Sequence, residues 1–147
     1  MPSITISPYS DAAHRSQVVT LWKTVFAYDT SHNEPSLVID RKLEVNDQLF
    51  FVALVGDSVV GTIMAGYDGH RGWIYSVAVA PSHRRQGIGS QLMSMAEQAL
   101  IDKGAVKINL QIMDGNHEVA AFYSSLGFSI EKRISMGKRI PLNIPKA

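Results

Sequence analysis

Val77-Ala78-Val79-Ala80-Pro81-Ser82-His83-Arg84-Arg85-Gln86-Gly87-Ile88-Gly89-Ser90-Gln91-Leu92 decides the fold. It reads as a strand stopped by Pro81, a short basic loop, two glycines spaced G-x-G, and the start of a helix. Glycines at a strand-to-helix turn let backbone approach a ligand closely. The first amides of a helix lack internal partners and lie at the positive end of its dipole. Residues 84 to 90 therefore make a candidate phosphate site, with Arg84 and Arg85 adding positive charge. An ordinary connection with solvated arginines fits the same stretch. Two common phosphate motifs are absent. Gly87-Ile88-Gly89-Ser90 lacks the spacing and lysine of G-x-x-x-x-G-K-[ST], and Leu92 stands where G-x-G-x-x-G needs its third glycine.

Upstream, Leu49–Val55 is almost wholly apolar, as in a strand covered on both faces. Gly56-Asp57 suits a two-residue hairpin turn, and Val59–Tyr67 returns. Asp68-Gly69-His70-Arg71-Gly72 is a second turn, and Trp73–Val79 runs back into the basic loop. Consecutive hairpins argue against a purely parallel sheet. Before them, Ser3–Ser7 alternates as a short strand. Ser10 or Asp11 starts a helix to about Tyr28, with Val18, Leu21, Trp22, Val25 and Phe26 inward and His14, Arg15, Lys23 and Thr24 outward. Ser36–Asn46 is a second helix.

Downstream, Ile88, Leu92, Met95, Ala96, Ala99 and Leu100 share one helical face, and Lys103-Gly104 ends that helix. Val106, Ile108, Leu110 and Ile112 alternate with polar residues, which predicts a strand with one wet face. His117–Leu126 is a short helix broken by Gly127. Phe128–Met136 is expected to return as a strand, with Gly137–Leu142 continuing it past a bulge.

The 147 residues suit one domain, and the 46% hydrophobic content supplies a sizeable core. A formal charge of +1 argues against general nucleic-acid binding. With no cysteine, there is no disulfide framework or thiolate nucleophile. His, Asp and Glu show no metal-ligand spacing, so no metal is expected. The N-terminus does not read as a signal peptide, and no run approaches the roughly 20 apolar residues of a membrane span. A soluble cytoplasmic protein is the default expectation, with no membrane partner.

Arg84-Arg85-Gln86-Gly87-Ile88-Gly89 resembles the acyl-CoA signature [Gln/Arg]-x-x-Gly-x-[Gly/Ala] of the Gcn5-related N-acetyltransferases. Asn116, Ala120, Phe122-Tyr123 and Gly127-Phe128 resemble that family's second signature. The likeness covers about residues 48 to 140. It implies an α+β, single-domain acyl-CoA N-acyltransferase fold spanning residues 1–147. The sheet would be mixed, mostly antiparallel and twisted, flanked by about four helices.

The resemblance implies transfer of the acetyl group of acetyl-CoA to a primary amine on a small molecule, a peptide N-terminus or a lysine. The cofactor-binding residues it implies are Val77 and Val79, on a bulged strand that pairs with the pantetheine arm. To these it adds Arg84, Arg85, Gln86, Gly87, Ile88, Gly89 and Ser90 at the pyrophosphate, then Asn116 and Phe122. Tyr123 becomes the general acid that protonates the departing thiolate. Taken from the residues alone, Tyr123 and Phe122 also suit core packing, and Asn116 a helix cap.

Many relatives carry a glutamate base on the strand before the phosphate loop, but Trp73-Ile74-Tyr75-Ser76-Val77 has no acid. A water chain ending at Ser76, Tyr75, His70 or Asp68 is the substitute, with His70 first because imidazole titrates near pH ~6.5. The missing glutamate also leaves open a non-catalytic acyl-CoA-sensing module. Tyr28, Asp29, His32 and Glu34 lie in the region that shapes the acceptor pocket in the family. Analogy further implies a homodimer paired through C-terminal strands.

Overall fold

The computed structural model describes residues 3–26 and 33–141. The chain forms two compact units, one ending at Gln111 and the other beginning at Ile112. The first contains strand β1 (Ile4–Pro8), helices α1 (Asp11–Val25) and α2 (Pro35–Val45), and the meander β2 (Phe50–Val55), β3 (Ser58–Tyr67) and β4 (Arg71–Val79). A 3₁₀ turn (Pro81–His83), helix α3 (Ile88–Lys103) and strand β5 (Lys107–Asn109) complete it. The sheet order is β1-β2-β3-β4-β5. All pairs are antiparallel except β4 with β5. The expected α+β class with a mixed, mostly antiparallel sheet is thus present.

The two faces of the sheet bury different helices, because side chains alternate along each strand. Phe50, Val52, Met64 and Ala78 pack with Val18, Leu21 and Trp22 of α1 and Ile39 of α2. Phe50 stacks between Tyr9, at 4.2 Å between ring centroids, and Trp22, at 5.9 Å. The opposite face receives α3. A β-carbon on Gly61 would lie 3.0 Å from Leu92, and one on Gly72 would lie 2.5 Å from Leu100. Glycine at these two positions lets α3 approach the strands closely.

Local signals set the helix ends. Pro35 occupies the first turn of α2, and the Glu34 carboxylate accepts from the amides of Ser36 and Leu37 at 3.1 and 2.9 Å. At the start of α1, the Ser10 amide donates to His14 Nδ1 at 2.9 Å. His14, expected outward, is consequently buried beside Tyr9. Gly104 ends α3 with φ +108°. Lys42, mostly buried, fastens α2 to the sheet by donating to the Ala65 carbonyl and to Asp47.

The alternation over 106–112 predicted a longer strand than the three residues of β5. The reason lies in β4, which runs beside β5 only over Arg71–Trp73 and then bulges. The second unit carries helix α4 (His117–Ser125). Within this unit, residues 128–141 form no ladder of their own, and Leu142 lies outside the described residues. Ile130, Ile134 and Met136 are 87–91% exposed.

Candidate active site

Strand β4 changes course at Ser76. Thr62 faces Ala78 and Met64 faces Tyr75, so two residues of β4, Ser76 and Val77, oppose Ile63 alone. This is a bulge, and Ser76 takes the left-handed φ of +50° that its geometry requires. The family likeness implied a bulge here, and the sequence itself gave no sign of it.

A buried brace holds it. Trp22 Nε1 donates to Thr62 Oγ1 at 2.9 Å, and Thr62 Oγ1 donates to the Ser76 carbonyl at 2.9 Å. Both side chains are wholly buried. Sequence reading placed Trp22 in the core and passed over Thr62. The available signal was a threonine inside the otherwise apolar run Val59–Gly66.

Beyond Trp73, the β5 side of β4 has no strand partner among the described residues of this unit. Val77 and Val79 lie on this open length, and the Val79 carbonyl accepts only a long contact, 3.4 Å, from Arg84 Nε. Directly after it comes the basic loop. Arg85 and Gly87 both have positive φ, +63° and +78°. Such left-handed residues turn successive amides inward, as in anion nests.

Gly87 caps α3 without any side-chain hydrogen bond, and nothing stands within 4 Å of where its β-carbon would be. The amides of Ile88, Gly89 and Ser90 thus receive no side-chain cap at the positive end of a 16-residue helix. Arg84, Arg85, Gln86 and Ser90 are exposed around them. Ile88 contributes only its amide, since its side chain is buried beneath Gly61. This set of donors fits a diphosphate.

In the second unit, Tyr123 is the buried residue of α4. Its ring meets Phe122 and Phe128 edge-on, at 5.0 and 5.8 Å. Burial raises the pKa of its phenol, so the proton is retained. The hydroxyl has no hydrogen-bond partner among the described residues. Asn116 takes the capping role, its Oδ1 accepting from the Val119 amide at 3.2 Å. That use leaves its side-chain NH₂ available as a donor.

The remaining candidates separate. Glu34 is committed to capping α2. Tyr28, Asp29 and His32 lie outside the described residues. His70 sits in the β3–β4 turn, where its amide and that of Arg71 bind Asp68 at 2.8 and 2.7 Å. These two bonds hold the Asp68 carboxyl below the usual range. Six residues of strand separate His70 from Ser76, on the order of 20 Å. Tyr75 lies beside the bulge, 49% exposed, with its pKa raised by burial and then by Asp68.

Residues 15–128 match the acetyltransferase (GNAT) family. An acetyltransferase of Yersinia pestis (strain Pestoides F) is 39% identical over 108 residues, covering 74% of this chain and 77% of that protein. Among solved structures, Ard1 from Thermoplasma volcanium superimposes with a TM-score of 0.76 at 27% identity, covering 87% of this chain and 84% of that one. The aminoglycoside enzyme AAC(6')-Iy, solved with a CoA-S-monomethyl-acetylneamine bisubstrate analogue, gives a TM-score of 0.75 at 16% identity, covering 95% and 99%. The uncapped α3 terminus, the bulged β4 and these likenesses agree: the chain belongs to the GNAT family of acetyltransferases.

Proposed function

We propose that the protein transfers the acetyl group of acetyl-CoA directly to a primary amine. The observation that carries this reading is the continuity of the open β4 edge with the uncapped start of α3. The α3 amides and the two arginines would hold the pyrophosphate. The free backbone groups of Val77 and Val79 would pair with the amide-rich pantetheine arm, and the Val77 amide would polarise the thioester carbonyl. The AAC(6')-Iy complex with a CoA-linked analogue supports the same donor for this fold.

The amine nitrogen attacks the carbonyl carbon, the C–S bond breaks, and the sulfur takes a proton. Tyr123 is assigned that proton delivery from its place in the second signature. Its protonated phenol and unengaged hydroxyl support the assignment. Phe122 and the Asn116 NH₂ would steady the pantetheine end. The acceptor class remains a small-molecule amine, a peptide N-terminus or a lysine.

The test is free-thiol release on mixing the protein with acetyl-CoA and a panel of amines. Acceptor-dependent release is expected. One observation favours a second reading: β4 carries no carboxylate from Arg71 to Val79. Tight acetyl-CoA binding with no release from any amine would make the protein an acyl-CoA sensor.

A further inference from the structure

We infer that Thr62 and Trp22 are positioning residues for acetyl transfer, because together they aim the backbone amide of Val77. This rests on the reading of acetyl-CoA as donor. The Ser76 carbonyl is fixed by the Thr62 hydroxyl at 2.9 Å. No described peptide bond is cis. In a trans peptide the C=O and the following N–H point in opposite directions. The Val77 N–H is therefore turned away from β3, toward the edge of β4 that no described strand of this unit pairs with beyond Trp73. That is the direction in which a donor must face to meet a thioester carbonyl lying along this edge.

The brace is built to hold one orientation. A hydroxyl can rotate, and a lone Thr62 could donate to other acceptors. The Trp22 indole N–H occupies one lone pair of Oγ1, which directs the hydroxyl proton to Ser76. Trp22 itself cannot swing, since Phe50 stacks on it and it is wholly buried. The strained φ of Ser76 is maintained because its carbonyl has this partner. A helix side chain, a strand hydroxyl and a bulge thus form one rigid relay ending at an amide. The two side chains act through the Val77 peptide rather than on the donor itself.

The experiment uses acetyl-CoA labelled with ¹³C at the acetyl carbonyl, bound to wild type, Thr62→Val, Thr62→Ser and Trp22→Phe. The carbonyl stretch is read by infrared difference spectroscopy, so no acceptor amine is required. The stretch is expected to move to lower wavenumber on binding to wild type and to Thr62→Ser, which keeps the hydroxyl. It should return toward the free value in Thr62→Val, with Trp22→Phe between. Affinity for CoA, which has no acetyl carbonyl, should stay within about threefold across folded variants, because the phosphate donors are elsewhere. With an amine that supports turnover, kcat for Thr62→Val should fall at least about tenfold, part of the 10²–10³ lost with an entire donor.

A wild-type shift that Thr62→Val preserves would overturn the inference, as would a Thr62→Ser protein that does not restore it. If Thr62→Val fails to fold, Trp22→Phe decides on the same readout: an undiminished shift overturns the relay. Absence of acetyl-CoA binding to wild type would refute the donor assignment itself. Binding without any shift would refute only the aiming of Val77.

Discussion

Adding one methyl at Gly61 and one at Gly72 should give different results, because the two glycines lie under opposite ends of α3. At Gly72 the new β-carbon would meet Leu100 Cδ1 at 2.5 Å, Cδ2 at 2.9 Å and Cγ at 3.1 Å. Carbon atoms pack best at about 3.5–4.0 Å, so roughly 1 Å of retreat is needed. Leu100 has no exposed surface into which it could turn. At Gly61 the contacts are milder, 3.0 Å to Leu92 Cδ1 and 3.2 Å to Ile88 Cγ2, but the third is the Ala78 backbone carbonyl at 3.1 Å. Overpacking costs about 1–3 kcal/mol, offset by the roughly 0.4–1 kcal/mol that alanine gains by restricting the unfolded chain. A net loss of about 1–2 kcal/mol lowers the melting midpoint by roughly 3–8 °C for a chain of this size.

The functional outcomes then diverge. Ile88 begins the helix whose first amides are the proposed phosphate donors, so Gly61→Ala must displace that turn. A loss of about 1 kcal/mol there weakens CoA by roughly fivefold. Leu100 is twelve residues along, about 18 Å away, so Gly72→Ala should leave CoA affinity within about twofold. Thermal unfolding and calorimetric CoA titration measure both quantities. Equal affinity losses, or unchanged stability in both variants, would refute the packing argument.

Other consequences are simpler. Tyr123→Phe should reduce acetyl transfer by 10²-fold or more while leaving CoA affinity nearly unchanged, the usual scale for a lost general acid. Undiminished thiol release would remove Tyr123 from that role. At low pH, Asp11 should lose its contribution to the α1–α2 junction. Its carboxyl is held below the usual range by hydrogen bonds from Tyr9 and then Arg15, which also reaches Asp40. A lowered folded pKa contributes stability above the unfolded value near ~3.9 and loses it as pH falls through the folded value. The melting-point gap between wild type and Asp11→Asn should therefore close below about pH 4. A gap that persists in acid would contradict the linkage.

The meander and the basic loop were legible because their signals are local. Gly56-Asp57, Pro81 and Gly87 act on neighbouring dihedrals, and the apolar periods of α1 and α3 need no distant partner. What the residues could not reveal depends on pairs far apart in the chain. The bulge at Ser76 exists because residues 22, 62 and 76 meet, and nothing near Ser76 announces it. For the same reason β5 is shorter than its alternation: its length is set by where β4 turns away. Glu34 showed the converse case. Its carboxylate looked chemically available and is consumed by the two amides of its own helix start.

The proton on the incoming amine yields the last prediction. An ammonium cannot attack, so something must remove its proton first. Among the described residues, β4 offers no group suited to this near neutrality. Tyr75 already holds its proton, and burial and Asp68 make it still harder to ionise. Asp68 is held below the usual carboxylate range by the amides of Arg71 and His70, which weakens its hold on a proton. His70 is at the far end of the strand.

The enzyme proposed here must then capture the fraction of acceptor that is already neutral in water. Its kcat/KM for a simple alkylamine should climb about tenfold per pH unit, up to the pKa of the amine itself. Tyr123 would not limit the rise, since its raised pKa keeps the acid form above the ordinary phenol value near ~10. Steady-state thiol release between pH 6 and 9.5, repeated with amines of different basicity, reads this directly. The break in the profile should follow the amine. A break fixed between about pH 6 and 7 for every amine would show a protein base instead, and His32, which lies outside the described residues, would be the first to replace.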